Sequence, residues 1–332
     1  MQRIPELDYL KGVLILLVIS FHLVYFEQLY PYAKQVVYTF HMPGFLLISG
    51  YLMNVGKAPK DFMRTLLWLA VPYLFMASGY IYVASLLPIY DHIDNLTPLV
   101  FLDRLLLQPL GPPWYLHTLL ICGSLYYLII NSKFKVQNSK LLLPLQLLLI
   151  GIAYYAVSYV LGTLLPKNGI GGSFSFSSSL YFLAGAVLRQ SGTNFLTFFR
   201  PFKGHWGALS LLAFALLVCF STNPNQGSLN GALIVYFAIS SLLWLCAVTP
   251  PKGGRGVSFL GRNSLVLYVF SPIFTVLCKR FVPYLQFDPT GLIFLFVSLV
   301  FCVAGSLGIA WLLDFTHTSR FIFGRKALSL RV

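Results

Sequence analysis

Long apolar runs separated by short polar stretches dominate the pattern of this 332-residue chain. The longest uncharged runs lie between charged residues 34 and 57, 64 and 91, 104 and 133, 140 and 167, 203 and 252, and 288 and 314. About 20 consecutive apolar residues cross the hydrocarbon core of a bilayer as a helix. The pattern therefore predicts a polytopic membrane protein with nearly all of its residues committed to the bilayer.

Apolar length and the positions of Pro, Gly and charged residues divide the chain into ten predicted spanning helices. They cover residues 7 to 29, 36 to 54, 65 to 88, 113 to 132, 141 to 165, 174 to 190, 205 to 222, 230 to 250, 264 to 285 and 290 to 314. The outer connection from 91 to 112 is the longest, and we expect 99 to 110 to form an amphipathic helix in the interface. We find no internal repeat, so we expect one all-α transmembrane bundle over 1–332 with no appended soluble domain.

Composition and charge agree with this class. The chain is 58% hydrophobic and only 10% charged, with a mean hydropathy of +0.78. Its net charge of +14 comes from small clusters between apolar runs, which form no stripe or motif typical of nucleic-acid binding. If the N-terminus is cytoplasmic, 18 of the 23 lysines and arginines fall on the inner side and 5 on the outer side. This asymmetry favours N-in/C-in orientation and an even number of spans.

The first predicted span carries the richest set of ionisable residues. Asp8, Lys11 and His22 share one face, because the eleven residues from Lys11 to His22 make about three whole turns. Lys11 then lies near the cytoplasmic mouth, and His22 lies about 16 Å further along the axis, past the midplane. An alternative for Asp8 and Lys11 is an interfacial ion pair that only sets orientation. Ionisable residues inside a span are nevertheless candidates for function, so Lys11 is a catalytic candidate beside His22, and Asp8 is a candidate for substrate or oxyanion binding.

Two further histidines lie at a similar depth on the outer side. His41 enters the second span from outside, and His117 enters the fourth span close behind Trp114. If those helices are neighbours, His22, His41 and His117 form an imidazole cluster in the outer third of the bundle. Zinc is an alternative for three histidines, but no acidic residue lies near that depth in these spans, so we predict no metal site.

Several short motifs occur in a distinctive order along most of the chain. They are Asp8-Tyr9-Leu10-Lys11-Gly12 followed by His22, Phe40-His41-Met42-Pro43 with Ser49-Gly50-Tyr51, Arg64 before Pro72-Tyr73, Pro113-Trp114-Tyr115-Leu116, and Gly261-Arg262-Asn263-Ser264-Leu265 with Tyr268. Together they resemble the acyltransferase 3 family of membrane-bound acyltransferases, which modify bacterial surface carbohydrates. Two positions depart from the family pattern: Lys11 replaces the arginine ten residues before the histidine, and Ser271 precedes Pro272 where many relatives have histidine.

The resemblance implies transfer of an acyl group, usually acetyl, from a cytoplasmic acyl-CoA to a carbohydrate hydroxyl, in a multi-pass protein of the bacterial cytoplasmic membrane. Acyl-CoA is then a co-substrate, no cofactor is bound, and the partners are the carbohydrate acceptor and membrane lipids. A basic inner mouth formed by Lys11, Arg64 and nearby loop cations would attract the polyanionic CoA.

Acyl transfer to a sugar hydroxyl needs a general base, and imidazole has a suitable ordinary pKa of about 6.5. We predict that His22 is this base, with an acyl-His22 intermediate as the variant mechanism. Trp114, His41 and His117 are equivalent candidates for the donor to the oxyanion. Two other classes of function stay open: a secondary transporter of an anionic or sugar-containing substrate, and a non-catalytic scaffold. The ordered motifs and the missing internal symmetry favour the enzyme.

Overall fold

The computed structural model describes residues 3–86, 91–131, 142–164, 176–202, 204–221 and 224–329. In chain order its α-helices are α1 (Pro5–Ser20), α2 (Val24–Leu29), α3 (Pro31–Leu52), α4 (Pro59–Leu86), α5 (Pro98–Leu106), α6 (Trp114–Asn131), α7 (Leu142–Leu164) and α8 (Phe176–Gln190). They continue as α9 (Phe195–Phe198), α10 (Ala208–Cys219), α11 (Leu229–Val248), α12 (Pro251–Arg262), α13 (Ser264–Leu277), α14 (Val282–Leu285), α15 (Leu292–Phe315) and α16 (Ser319–Phe323). Short 3₁₀ helices cover Gly204–Gly207 and Cys278–Phe281, and no strand occurs among the described residues.

The fold is that of an all-α, multi-pass membrane protein, as predicted. Within the described residues, five helical segments are long and apolar enough to cross a bilayer: Pro59–Leu86, Trp114–Asn131, Leu229–Val248, Ser264–Leu285 and Leu292–Phe315. The other five predicted spans coincide with α1 and α2, α3, α7, α8 and α10. The count of ten spans and the N-in/C-in orientation stay predictions. Some cations in the charge count, such as those within 132–141, lie outside the described residues.

The chain divides into two compact units. The first unit contains residues 1–45 and 195–332, and the second contains residues 46–194. Helix α3 contributes its first fifteen residues to the first unit and the rest to the second. The helix expected at 99 to 110 is present in the second unit as α5, which ends at Leu106; its position in the interface stays a prediction. Each unit has its own packed interior.

In the first unit, α1 is the central helix and packs against α11, α12, α13 and α15. Its apolar side chains are fully buried at Leu10, Leu14 and Ile19. The closest backbone approach is to α12, because a Cβ atom placed on Gly12 would lie 2.0 Å from the carbonyl oxygen of Val257. A Cβ atom on Gly261 would lie 1.6 Å from the carbonyl oxygen of Asp8. Only glycine permits this contact at both positions.

In the second unit, helices α4, α5, α6, α7 and α8 pack around buried aromatic side chains. Tyr126 of α6 makes edge contacts with the rings of Tyr154 and Phe182, and all three side chains are fully buried. Nearer to Lys57, the rings of Phe62 and Tyr127 stack 3.7 Å apart. The first contacts join α6 to α7 and α8, and the stacked pair joins α4 to α6, the two helices that carry Arg64, Trp114 and His117.

Candidate functional site

The first predicted span is interrupted at the position of His22. Helix α1 ends at Ser20, residues Phe21 to Leu23 form a turn, and α2 begins at Val24. The expectation of one uninterrupted helix from 7 to 29 is therefore wrong, and the angular argument that places Lys11 and His22 on one face stops two residues short of His22. The interruption has a local contribution, because the Ser20 hydroxyl donates to the Leu16 carbonyl, a bond that bends helices.

Each carbonyl of the last turn of α1 nevertheless has a hydrogen-bond donor. Backbone amides of the following turn serve the carbonyls of Leu17, Ile19 and Ser20. Side chains serve the carbonyl of Val18 and that of Phe21, the residue directly after the helix. Nδ1 of His22 donates to the Val18 carbonyl at 2.7 Å, and the Tyr38 hydroxyl donates to the Phe21 carbonyl at 3.0 Å. Irregular backbone at membrane depth is tolerated only inside protein or beside a cavity, where such partners are available. A broken helix of this kind is a frequent feature of membrane binding sites.

The bond to Val18 fixes the protonation pattern of the His22 ring. A carbonyl oxygen can only accept, so Nδ1 carries the hydrogen in the neutral imidazole. Nε2 is then the nitrogen with the free lone pair, and it has no hydrogen-bond partner among the described residues. The side chain is partly exposed, in contrast to its neighbours Phe21 and Leu23, which are buried. His22 is therefore held in the form that accepts a proton at Nε2.

His41 has the same arrangement on α3. Its Nδ1 lies 2.6 Å from the carbonyl of Val37, so its neutral ring also presents Nε2 as an acceptor. The Tyr38 ring lies beside both imidazoles, with centroids 6.1 Å from His22 and 5.1 Å from His41. The structure thus brings His22 and His41 into one cluster through Tyr38. In this form a neutral His41 cannot donate from Nε2 to an oxyanion, and only its protonated form has that capacity.

An ion pair borders this cluster. Lys34 Nζ lies 2.8 Å from Glu27 Oε2, and the same ammonium lies 5.4 Å from the centre of the Tyr38 ring. Both charged side chains are partly exposed. Glu27 is on α2, immediately after the interruption, whereas Lys34 is one helical turn before Tyr38. The cluster therefore combines two imidazoles, a phenol, a carboxylate and an ammonium within the first unit.

The other predicted residues of α1 form an ion-paired group at its beginning. Asp8 is buried, and its two oxygens lie 2.8 Å from Lys11 Nζ and 2.7 Å from Arg3 Nε. The structure thus contains the Asp8–Lys11 ion pair that the sequence offered as an alternative to a direct catalytic role. Because one carboxylate is shared by two cations, the group keeps a net positive charge.

The remaining predicted residues belong to the second unit. His117 is buried and uses Nε2, which lies 2.9 Å from the Leu106 carbonyl at the end of α5. Tyr73, whose ring is 5.6 Å from the His117 ring, donates to the adjacent Leu105 carbonyl. Trp114 is the first residue of α6 and is partly exposed. Arg64 is exposed in the second turn of α4.

The sequence did not single out Tyr38, Glu27 or Lys34. Their signal is the spacing on α3, where Lys34, Tyr38 and His41 are separated by four and three residues and so share one helix face. The contact of Tyr38 with Phe21 could not be read from that spacing. Among the described residues no group of three or more His, Cys, Asp or Glu side chains is arranged to hold a metal ion.

Comparison with known proteins gives one match. The family model described as an acyltransferase domain, Acyl_transf_3, matches residues 4–313, nearly the whole chain. No curated protein and no solved structure matches the chain. The matched range includes the interruption of α1, the His22 cluster, and the Asp8–Lys11 ion pair.

Proposed function

The chain belongs to the acyltransferase 3 family, and from this membership we propose that it is an integral membrane O-acyltransferase. In this proposal an acetyl or other short acyl group moves from a cytoplasmic acyl-CoA to a hydroxyl of a cell-surface or lipid-linked carbohydrate. The observation that carries the proposal is the state of His22, whose Nδ1 is occupied by the Val18 carbonyl and whose Nε2 accepts a proton at a helix interruption.

His22 acts as the general base in the proposed reaction. Its Nε2 takes the proton of the acceptor hydroxyl while the hydroxyl oxygen attacks the thioester carbonyl carbon. The new C–O bond forms, the C–S bond breaks, and the imidazolium returns the proton to the departing thiolate, giving free CoA thiol and a neutral imidazole. The Nδ1 bond to Val18 keeps the ring oriented throughout, because the hydrogen on Nδ1 is not transferred.

The acyl donor is attracted by the cations at the side predicted to be cytoplasmic. CoA is a polyanion, and Arg3 and Lys11 together exceed the charge of the Asp8 carboxylate that they share. Arg64 is exposed at the start of α4 and supplies a further positive charge on the same predicted side. Lys11 therefore contributes to binding of the donor, with Asp8 holding its ammonium in place.

Acyl transfer from radiolabelled acetyl-CoA tests this proposal. Membranes containing equal amounts of folded protein are supplied with the label and with a lipid-linked or polymeric glycan extract, and labelled glycan is measured. We expect His22→Ala to lower the initial rate by about 100- to 10,000-fold, the range for loss of a general base. His205→Ala is the matched control, since His205 is exposed on the 3₁₀ helix Gly204–Gly207.

Three outcomes would contradict the proposal or change its mechanism. Unchanged labelling in His22→Ala removes His22 from the reaction. Movement of a substrate across the membrane without covalent label identifies a transporter instead of an enzyme. Label on the protein in the absence of acceptor that is absent from His22→Ala and passes to added acceptor identifies an acyl-His22 intermediate, with Nε2 as the acylated atom, in place of direct transfer.

A further inference from the structure

The last residue of α12, Arg262, has a guanidinium group with no ionic partner among the residues that the structure describes. Its Nε is buried and has no hydrogen-bond partner there. The group lies over the ring of Phe259, whose centre is 5.6 Å from the central guanidinium carbon. A buried donor without a partner costs free energy, so native proteins rarely keep one without a use for it.

The contact between α1 and α12 places Arg262 at the ion-paired end of α1. Gly261 lies against the Asp8 carbonyl and Val257 lies against Gly12, so the two helices run antiparallel. Arg262 directly follows Gly261 and is therefore level with the first two turns of α1. Asn263 fixes this end of α12, because its amide nitrogen donates to the Phe259 carbonyl and its oxygen accepts from the backbone amide of Ser329.

Three other cations near the start of α1 have carboxylates nearby. Arg3 and Lys11 both contact Asp8, and a terminal nitrogen of Arg200 lies 3.8 Å from Glu6. Of these four cations, Arg262 is the one without a carboxylate at ion-pair distance among the described residues. Its planar fork can bind two oxygens of a phosphate at once, which the ammonium of Lys11 cannot do.

We propose that Arg262 binds a phosphate group of the acyl-CoA donor at the contact between α1 and α12. This inference rests on the proposed function, because it assumes acyl-CoA as the donor. The phosphate belongs either to the 3′-phosphate of the adenosine or to the diphosphate bridge, and the chemistry of recognition is the same for both.

Kinetics with donors of decreasing charge test the inference. The KM for acetyl-CoA, acetyl-dephospho-CoA and acetyl-pantetheine is measured for the natural protein, for Arg262→Met and for Arg320→Met. Arg320 is the charge-matched control, because it is exposed on α16 and on the same predicted side. We expect Arg262→Met to raise the KM for acetyl-CoA by about 10- to 100-fold, as for loss of a hydrogen-bonded charge pair.

Acetyl-pantetheine decides whether Arg262 acts on phosphate. The inference predicts that Arg262→Met leaves the KM for this donor within about twofold, since it has no phosphate to lose. An equal rise with acetyl-CoA and acetyl-pantetheine would show a structural effect and overturn the inference. If the rise disappears with acetyl-dephospho-CoA, Arg262 binds the 3′-phosphate; if it persists, Arg262 binds the diphosphate.

A binding measurement supplies a second readout that does not depend on catalysis. CoA should raise the unfolding temperature of the natural protein and of Arg320→Met by the same amount, and that of Arg262→Met by much less. Equal protection of all three proteins would contradict the inference. Should Arg262→Met fail to accumulate, Arg262→Lys keeps the charge but loses the fork, and the same comparison of donors applies. Absence of transfer by the natural protein would instead refute the proposed function itself.

Discussion

Both units of the protein use one histidine and one tyrosine to complete the carbonyls at a helix end, yet they use different ring nitrogens. At the end of α1, His22 Nδ1 donates to Val18 and the Tyr38 hydroxyl donates to Phe21. At the end of α5, His117 Nε2 contacts the Leu106 carbonyl and the Tyr73 hydroxyl donates to Leu105. The same two types of side chain serve both helix ends. At α1 the histidine follows the helix whose end it completes, whereas at α5 the histidine comes from another helix, α6.

This difference separates a candidate catalytic histidine from a capping histidine. His22 follows the helix that it caps, so only its near nitrogen, Nδ1, reaches the carbonyl, and Nε2 points away from the bond. His117 belongs to α6 and reaches across to α5 with its far nitrogen. An imidazole that donates a hydrogen from Nε2 to a carbonyl cannot also take the proton of the carbohydrate hydroxyl at Nε2. The chosen ring nitrogen therefore leaves Nε2 available as an acceptor in His22 and occupies it in His117.

The largest effect is expected from a substitution that removes the base but keeps the hydrogen bond to the Val18 carbonyl. In His22→Asn the side-chain amide can still donate to the Val18 carbonyl, because its nitrogen occupies about the position of Nδ1. We expect the turnover number to fall by about 100- to 10,000-fold with little change in the unfolding temperature. Turnover per folded molecule and thermal unfolding, measured on the same preparation, check both parts. If His22→Asn keeps its turnover, the assignment of His22 as a base and His117 as a capping residue is wrong.

A smaller effect is expected from the two tyrosine hydroxyls. Tyr38→Phe and Tyr73→Phe each leave a helix-terminal carbonyl without its donor, at a cost of about 1–3 kcal/mol in the free energy of unfolding. Only Tyr38 lies against His22, so only Tyr38→Phe should lower turnover, by about tenfold, through displacement of the ring. 4-Aminophenylalanine at position 38 restores an N–H donor and should recover turnover. Equal losses of turnover in both Phe variants would contradict this assignment.

The smallest effect on turnover is expected at His117. His117→Ala should lower the free energy of unfolding by about 1–3 kcal/mol and change turnover per folded molecule by no more than about twofold. His117→Gln places an amide nitrogen at about the position of Nε2 and should restore most of the stability, whereas His117→Asn should not. A large loss of turnover at unchanged stability would instead give His117 a catalytic role.

The helices could be predicted from the sequence because apolar length is a direct property of the chain. Each of the ten predicted segments is mainly helical over its described residues, although the first is interrupted at Phe21 to Leu23. Helix α12 could not be predicted, since its sequence contains Gly253, Gly254 and Gly256, which disfavour helix in isolation. It is stabilised by packing along α1, where Gly12 and Gly261 allow the backbones to touch.

The candidate site was accessible to sequence reasoning only in part. Its histidines were found because ionisable residues are rare inside apolar segments. The interruption at Phe21 to Leu23 was not found, because that stretch contains neither proline nor glycine, the usual signals of a break. The Phe21 carbonyl there accepts a hydrogen bond from Tyr38, a residue on another helix, and such a non-local contact cannot be predicted from the local sequence. The ion pair of Asp8 with Lys11 could be predicted from the sequence, since the two residues lie one helical turn apart.

The pH dependence of acyl transfer tests the role of His22 most directly. The measurement compares kcat/KM for the carbohydrate acceptor between the natural protein and His22→Asn across the acidic and neutral range. A general base must be unprotonated, so the natural protein should lose activity tenfold for each unit below the pKa of His22. The residual activity of His22→Asn should lack this acidic limb. The same limb in both proteins would contradict the assignment of His22 as the base.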